Sequence, residues 1–105
     1  MWYLFLDDER DLSYVGANDL APWEIARSTE QAKVLIERLG PPTYISFDHD
    51  LGGEDTAMVF LKWLADSYFE HPPEYNIHSS NPVGRANIDA YMKSWIRARN
   101  QEKSP

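Results

Sequence analysis

Apolar positions in this chain follow two patterns, short near-unbroken runs and longer stretches that repeat every three to four residues. Trp2-Tyr3-Leu4-Phe5-Leu6 and Tyr44-Ile45-Ser46-Phe47 belong to the first kind. Runs of that length without polar alternation mark strands covered on both faces, as in a parallel sheet under helices. They predict a first strand over Trp2 to Leu6 and a third over Thr43 to Phe47. Tyr75-Asn76-Ile77 predicts a fourth, entered from the rigid turn Pro72-Pro73. Trp23-Glu24-Ile25-Ala26 alternates instead, which predicts a second strand, half exposed and near an edge.

The second pattern predicts three helices. Ser28 can cap the first, and Gln31 three residues on completes a capping-box pattern. Ala32, Leu35, Ile36 and Leu39 then share one face, Gly40 supplies the left-handed C-terminal position, and Pro41-Pro42 prevent continuation. The second helix starts after Gly52-Gly53 with Asp55 or Thr56 as cap and runs to about Tyr68. Met58, Val59, Phe60, Leu61, Trp63 and Leu64 make it apolar around most of its circumference, which points to burial on two sides, the favoured reading, or to one face offered to a partner. Ile88, Tyr91, Met92, Trp95 and Ile96 give the third helix its core face. From Glu9 to Leu20 no sustained stripe appears and a loop is expected, while the tail from Asn100 to Pro105 is expected to fray.

The order β-loop-β-α-β-α-β-α predicts a three-layer α/β fold with a mostly parallel sheet of about four strands and three helices. At 105 residues the chain is expected to form one domain, 1–105. Right-handed crossovers bring the carboxyl ends of parallel strands to one edge, and open α/β sheets bind ligands beyond that edge. Three strands release polar clusters there: Asp7-Asp8-Glu9-Arg10, Asp48-His49-Asp50 and His78-Ser79-Ser80-Asn81. One shared site is expected.

Composition narrows what that site does. The net charge is −7, and such a negative potential repels nucleic-acid backbones, which argues against an extended duplex groove. A small phosphorylated ligand stays compatible, because a divalent cation on the carboxylates reverses the local sign. The chain contains no cysteine, which excludes disulfides, thiolate nucleophiles and Cys-based zinc sites. No stretch reaches the roughly 18 consecutive apolar residues of a membrane span, and the N-terminus lacks the basic stretch of a signal peptide. A soluble, cytoplasmic protein without membrane partners is expected.

Each cluster has a plain reading beside the chemical one. Asp7-Asp8 can be a solvated turn with one carboxylate capping amides, or a ligand pair for a hard cation. Adjacent carboxylates at the end of a buried strand favour a compensating cation. In extended backbone Asp48 and Asp50 share one side and His49 faces the other, a parity that a turn at Leu51-Gly52-Gly53 can break. His49 is a candidate general acid or base, or a histidine oriented for structure alone. Asn81 with Pro82 can simply start the third helix. That leaves His78, Ser79 and Arg85 at the same end, where a helix N-terminus with an arginine in its first turn suits a phosphate.

Leu4-Phe5-Leu6-Asp7-Asp8-Glu9-Arg10, Ser46-Phe47-Asp48-His49-Asp50-Leu51-Gly52 and Ile77 to Asn87 together resemble the cyclic-phosphate processing receiver-like domains, relatives of response-regulator receivers. The resemblance spans nearly the whole chain. It implies a flavodoxin/receiver-like sheet with Asp7, Asp8 and Asp48 around Mg²⁺, and Ser79 at the hydroxyl position after the fourth strand. Asp50, on the side of Asp48 in extended backbone, is expected as a further ligand of the Mg²⁺ or Mn²⁺. It also implies the histidine pair His49 and His78 and a role in processing cyclic phosphates on nucleotides or RNA ends. The fifth receiver strand and its lysine have no counterpart here, so the fold is read as truncated and ordinary phosphorelay is not expected.

The expected activity is that of a metal-dependent phosphoesterase opening a 2′,3′-cyclic phosphate end or a cyclic nucleotide. In it His49 and His78 exchange protons while Ser79, Asn81, Arg85, Asn87 and Arg10 hold the phosphate. Two alternatives stand beside it. One is a module that binds such a ligand without chemistry. The other is a degenerate receiver that meets a protein partner through Trp63, Tyr68, Phe69 and Trp95.

Overall fold

The computed structural model describes residues 1–10 and 22–103. It contains β1 (Tyr3–Leu6), β2 (Trp23–Ala26), α1 (Thr29–Leu39), β3 (Tyr44–Phe47), α2 (Ala57–Ser67), β4 (Glu74–Ile77) and α3 (Pro82–Lys103). The strands form one parallel sheet in the order β2-β1-β3-β4. Every element expected from the apolar pattern is present, with β2 at its expected bounds and the starts of β1, β3 and β4 shifted by one residue. The helix α3 continues to Lys103, where a frayed tail was expected from Asn100. Glu9 and Arg10 lie in the loop expected there, and the rest of that loop falls outside the described residues, as do positions 104 and 105.

Register fixes which side chains share a face. Leu4 pairs with Ile45, and Leu6 pairs with both Ala26 and Phe47. These residues join Ala32 and Ile36 of α1, Phe60, Leu61 and Leu64 of α2, and Ile88, Met92 and Trp95 of α3 in one buried cluster. All three helices therefore pack on the same face of the sheet. For α1 and α2 the reason is topological, since β2 to β3 and β3 to β4 step in one direction across the sheet and right-handed crossovers with a common direction share a face, while α3 joins them through Ile88, Met92 and Trp95. Each fully buried Leu, Ile or Phe in this cluster contributes roughly 1.5–3 kcal/mol. The other face carries Tyr3, Trp23 and Tyr44, with ring centroids 5.3–6.0 Å apart, beside the buried Phe5 and Ser46. The described residues account for two of the three expected layers, the sheet and one layer of helices.

Local signals in the helices resolve as follows. Ser28 Oγ accepts the Gln31 N–H at 3.2 Å, and Gln31 Oε1 accepts the Arg27 N–H at 2.8 Å, one residue ahead of the usual capping-box donor. Gly40 closes α1 with φ +82°, and Trp2 Nε1 donates to its carbonyl at 3.0 Å. The α2 helix touches α1 on one side and α3 on the other, in line with its broad apolar surface, although Val59 stays half exposed. Neither cap expected for α2 operates through its side chain. Thr56 is extended but its hydroxyl makes no capping bond, and the Asp55 carboxylate turns to α1, accepting the Thr29 N–H at 2.8 Å and the Thr29 hydroxyl at 2.6 Å. Trp95 is buried with Nε1 donating to the Phe69 carbonyl at 2.8 Å, and Trp63, Tyr68 and Phe69 pack partly buried against the core. Among the described residues no helix is long and apolar enough to cross a membrane.

Candidate functional site

Asp7 is the first residue past β1, and alternation turns its side chain to the face opposite the helices. It is 1% exposed. Oδ1 accepts the N–H groups of Glu9 at 2.8 Å and Arg10 at 2.9 Å, folding the acidic stretch into an Asx-type turn. Oδ2 meets His78 Nε2 at 2.8 Å and lies 3.6 Å from Arg10 Nη1. Burial alone raises the Asp7 pKa. The amides of Arg10 and Glu9, together with His78, outweigh that and hold it below the usual carboxylate range.

His78 is the first residue past β4. Its side chain is 6% exposed, its ring stacks on Phe5 at 4.8 Å, and both ring nitrogens are engaged, Nδ1 with Ser46 Oγ at 2.8 Å and Nε2 with Asp7. Ser46, His78 and Asp7 therefore form a buried chain across β3, β4 and β1. This departs from the expected histidine pair facing a substrate, because His78 is turned inward to Asp7.

Asp48 extends β3, and its N–H donates to the Leu6 carbonyl at 2.9 Å, which sets it beside Asp7. Burial and the Asp7 charge push its pKa up, against a hydrogen bond from the Ser79 hydroxyl and the charges of His78 and Arg10. Oxygens of Asp7, Asp8 and Asp48 lie within 4.8 Å of one another. Three hard oxygen donors so close, one destabilised as an anion by its neighbour, suit Mg²⁺ or Mn²⁺.

Asp50 does not join them. Past His49 the chain folds back, with Asp50 bridged to Thr56, Leu51 N–H bonded to the Asp55 carbonyl and Ala57 N–H to the His49 carbonyl. The strand parity that set Asp50 beside Asp48 is broken there. Asp50 accepts from His49 Nδ1 at 3.0 Å and from Asn81 Nδ2 at 3.3 Å, and these bonds lower its pKa. A carboxylate only accepts, so His49 donates through Nδ1, an arrangement that leaves Nε2 as the ring's acceptor in the neutral tautomer.

The expected phosphate groups divide. Arg10 stays beside the triplet, also donating to the His78 carbonyl at 3.4 Å. Asn81 caps α3 through Oδ1, which accepts the Gly84 N–H at 3.0 Å. Ser79 is buried, donating to Asp48 and accepting the Asn81 N–H at 3.1 Å. Arg85 Nη1 donates to the carbonyls of Ile77 at 3.3 Å and Ser79 at 3.1 Å, closing the turn between β4 and α3. Asn87 is exposed on α3 and is not brought into the cluster. Two residues are additions to the expected set. Ser46 was visible as a polar residue inside an apolar run, on the same strand face as Asp48. Arg27 directly follows β2, at the edge where the other clusters emerge.

A cavity of about 480 Å³ lies at the opposite, amino edge of the sheet, lined among others by Tyr3, Tyr44, His71, Glu74 and Arg99, and holds none of these residues. The family model described as the cyclic-phosphate processing receiver domain matches residues 2–94. Neither a search of curated proteins nor one of solved structures returned a match.

Proposed function

The chain belongs to the cyclic-phosphate processing receiver domain family, and we propose that it is a metal-dependent phosphoesterase acting on small cyclic phosphates. The substrate class is a 2′,3′-cyclic phosphate at an RNA end or a cyclic nucleotide. The observation that carries this reading is the convergence of Asp7, Asp8 and Asp48 within 4.8 Å at the carboxyl edge of the sheet. Those three carboxylates would hold Mg²⁺ or Mn²⁺, which when bound polarises a phosphoryl oxygen and lowers the pKa of water.

The chain's own residues supply the rest. His49 takes a proton from the attacking water at Nε2 and returns it to the leaving ribose oxygen as the ring P–O bond breaks, while Asp50 orients its ring through Nδ1 and stabilises the transient imidazolium. Arg10, a third exposed, offers its guanidinium to a non-bridging phosphate oxygen next to the carboxylates. His78 acts at one remove, fixing Asp7 by the hydrogen bond that outer partners of metal ligands typically provide. Ser79 does the same for Asp48.

The test is incubation of the full chain with cyclic mononucleotides, cyclic oligonucleotides and RNA ending in a 2′,3′-cyclic phosphate, each with Mg²⁺ or Mn²⁺. The expected result is ring opening by the wild type and a loss of roughly 10²-fold or more in His49→Ala with the fold retained. Full activity in His49→Ala removes the proton-transfer role. Because His78 is turned inward, a second reading, capture of the cyclic phosphate without turnover, has specific support. Recovery of unaltered ligand together with a metal-dependent rise in melting temperature selects it.

A further inference from the structure

Arg27 stands at the end of β2, on the strand beside β1, and its guanidinium reaches across to the acidic turn. Nη1 donates to the carbonyl oxygen of Asp7 at 3.1 Å and to the carbonyl oxygen of Arg10. Those two carbonyls bracket Asp7-Asp8-Glu9-Arg10. The N–H groups of the same turn are gathered by Asp7 Oδ1. One side of the turn is thus tied by its own aspartate and the other by an arginine from the neighbouring strand. The Arg27 N–H is itself fixed by Gln31 Oε1 in the first turn of α1. Among the described residues the Arg27 guanidinium bonds carbonyl oxygens and no carboxylate.

Three carboxylates held within 4.8 Å repel one another, and without an ion the turn carrying two of them is pushed to open. A guanidinium is suited to resist this, since its donors sit in a fixed planar fork that a lysine ammonium lacks. We propose that Arg27 is a positioning residue for the divalent-cation site, bracing the turn that presents Asp7 and Asp8 to Asp48. The proposal rests on the metal-binding reading above and adds to it a residue outside the carboxylate set.

Charge and bracing predict opposite signs for one substitution. Arg27→Gln removes a positive charge near three carboxylates, and Coulomb attraction alone then makes a cation bind more tightly. Loss of the brace makes it bind more weakly, by roughly 10-fold on the scale of outer partners of metal ligands. Arg27→Lys keeps the charge and loses the fork.

The experiment is calorimetric titration of Mn²⁺ alone into the wild type, Arg27→Gln and Arg27→Lys at 25 °C, with circular dichroism to confirm the fold. The expected result is weaker binding in both variants, larger in Gln than in Lys. Tighter binding in Arg27→Gln, or affinity unchanged in both, overturns the proposal while leaving the metal reading intact. A wild type that takes up no Mn²⁺ overturns the metal reading and this proposal together. Should Arg27→Gln fail to fold, Arg27→Lys carries the test by itself, because charge alone predicts no change there.

Discussion

His49 lies against the bare Cα of Gly84, so close that a β-carbon there would stand 2.3 Å from His49 Cγ and 2.6 Å from its Cβ. Those atoms sit near the His49 backbone and cannot swing aside as the far end of a flexible side chain does. Gly84 occupies the first turn of α3, where in open space an alanine would favour the helix by up to about 1 kcal/mol. The collision reverses that sign. Gly84→Ala is expected to lower stability by about 1–3 kcal/mol, the usual range for overpacking, and to displace His49 from the proton-transfer position proposed for it. Urea unfolding decides the first point, since a more stable Gly84→Ala contradicts the contact.

Ser46 and His78 make a second testable pair. Ser46→Ala leaves His78 Nδ1 buried without its 2.8 Å partner, at a cost of about 1–3 kcal/mol. The ring that steadies Asp7 is then freer to turn, and affinity for Mn²⁺ is expected to fall along with stability. Thermal unfolding and a Mn²⁺ titration of the same variant check both. A loss of stability at unchanged affinity would confine the chain to a structural role.

The contrast between these contacts and the sequence reading is physical. Strands and helices were legible because burial on a regular element imposes a period, as in Leu4 and Leu6 or Ala32 and Ile36. The convergence at the carboxyl edge was legible because parallel topology forces it. What periodicity cannot carry is a hydrogen bond between elements far apart in the chain. Asp55 has the spacing of an α2 cap yet serves Thr29, 26 positions away. Asp50 has the parity of a metal ligand until the fold-back bridge to Thr56 turns it to His49 and Asn81. His78 reads as an exposed catalyst because nothing in Ile77-His78-Ser79 says that Phe5 and Ser46 enclose its ring.

The Asp55 contact gives a stability prediction independent of the metal. Its carboxylate supplies the acceptors that the first N–H of α1 and the Thr29 hydroxyl need. Asp55→Ala is expected to cost about 1–2 kcal/mol, as for loss of a helix cap. In a double-mutant cycle with Thr29→Val the two losses are expected to be non-additive by at least about 0.5 kcal/mol. Simple additivity in urea unfolding would separate the two residues energetically.

The opposed shifts of Asp7 and Asp48 yield a prediction in pH and metal together. Asp7 is held below its ordinary pKa, so its contribution is present above that value and is lost as pH falls through its folded pKa. Asp48 is pushed above its ordinary value of 3.8 by burial and by Asp7, so folding favours its protonated form. That contribution is complete at lower pH and is lost as pH rises through the folded pKa, which leaves an unfavourable anion in the metal-free protein at pH 7. Asp48→Asn keeps an acceptor for the Ser79 hydroxyl and removes the charge. In EDTA at pH 7 the variant is expected to be more stable than the wild type by on the order of 1 kcal/mol, a rise of roughly 4–8 °C in Tm. The advantage shrinks as pH falls through the folded pKa and is gone only well below 3.8, where Asp48 is protonated in both states. With Mg²⁺ in excess the proposed metal site predicts that the ranking inverts, since ligand binding stabilises the wild type in proportion to ln(1 + [L]/Kd) and the variant has lost an anionic ligand. Melting curves of both proteins with EDTA and with Mg²⁺ test the argument. A wild type that outlasts Asp48→Asn in EDTA at pH 7 refutes the strain at Asp48, and an order unchanged by Mg²⁺ refutes its part in holding the cation.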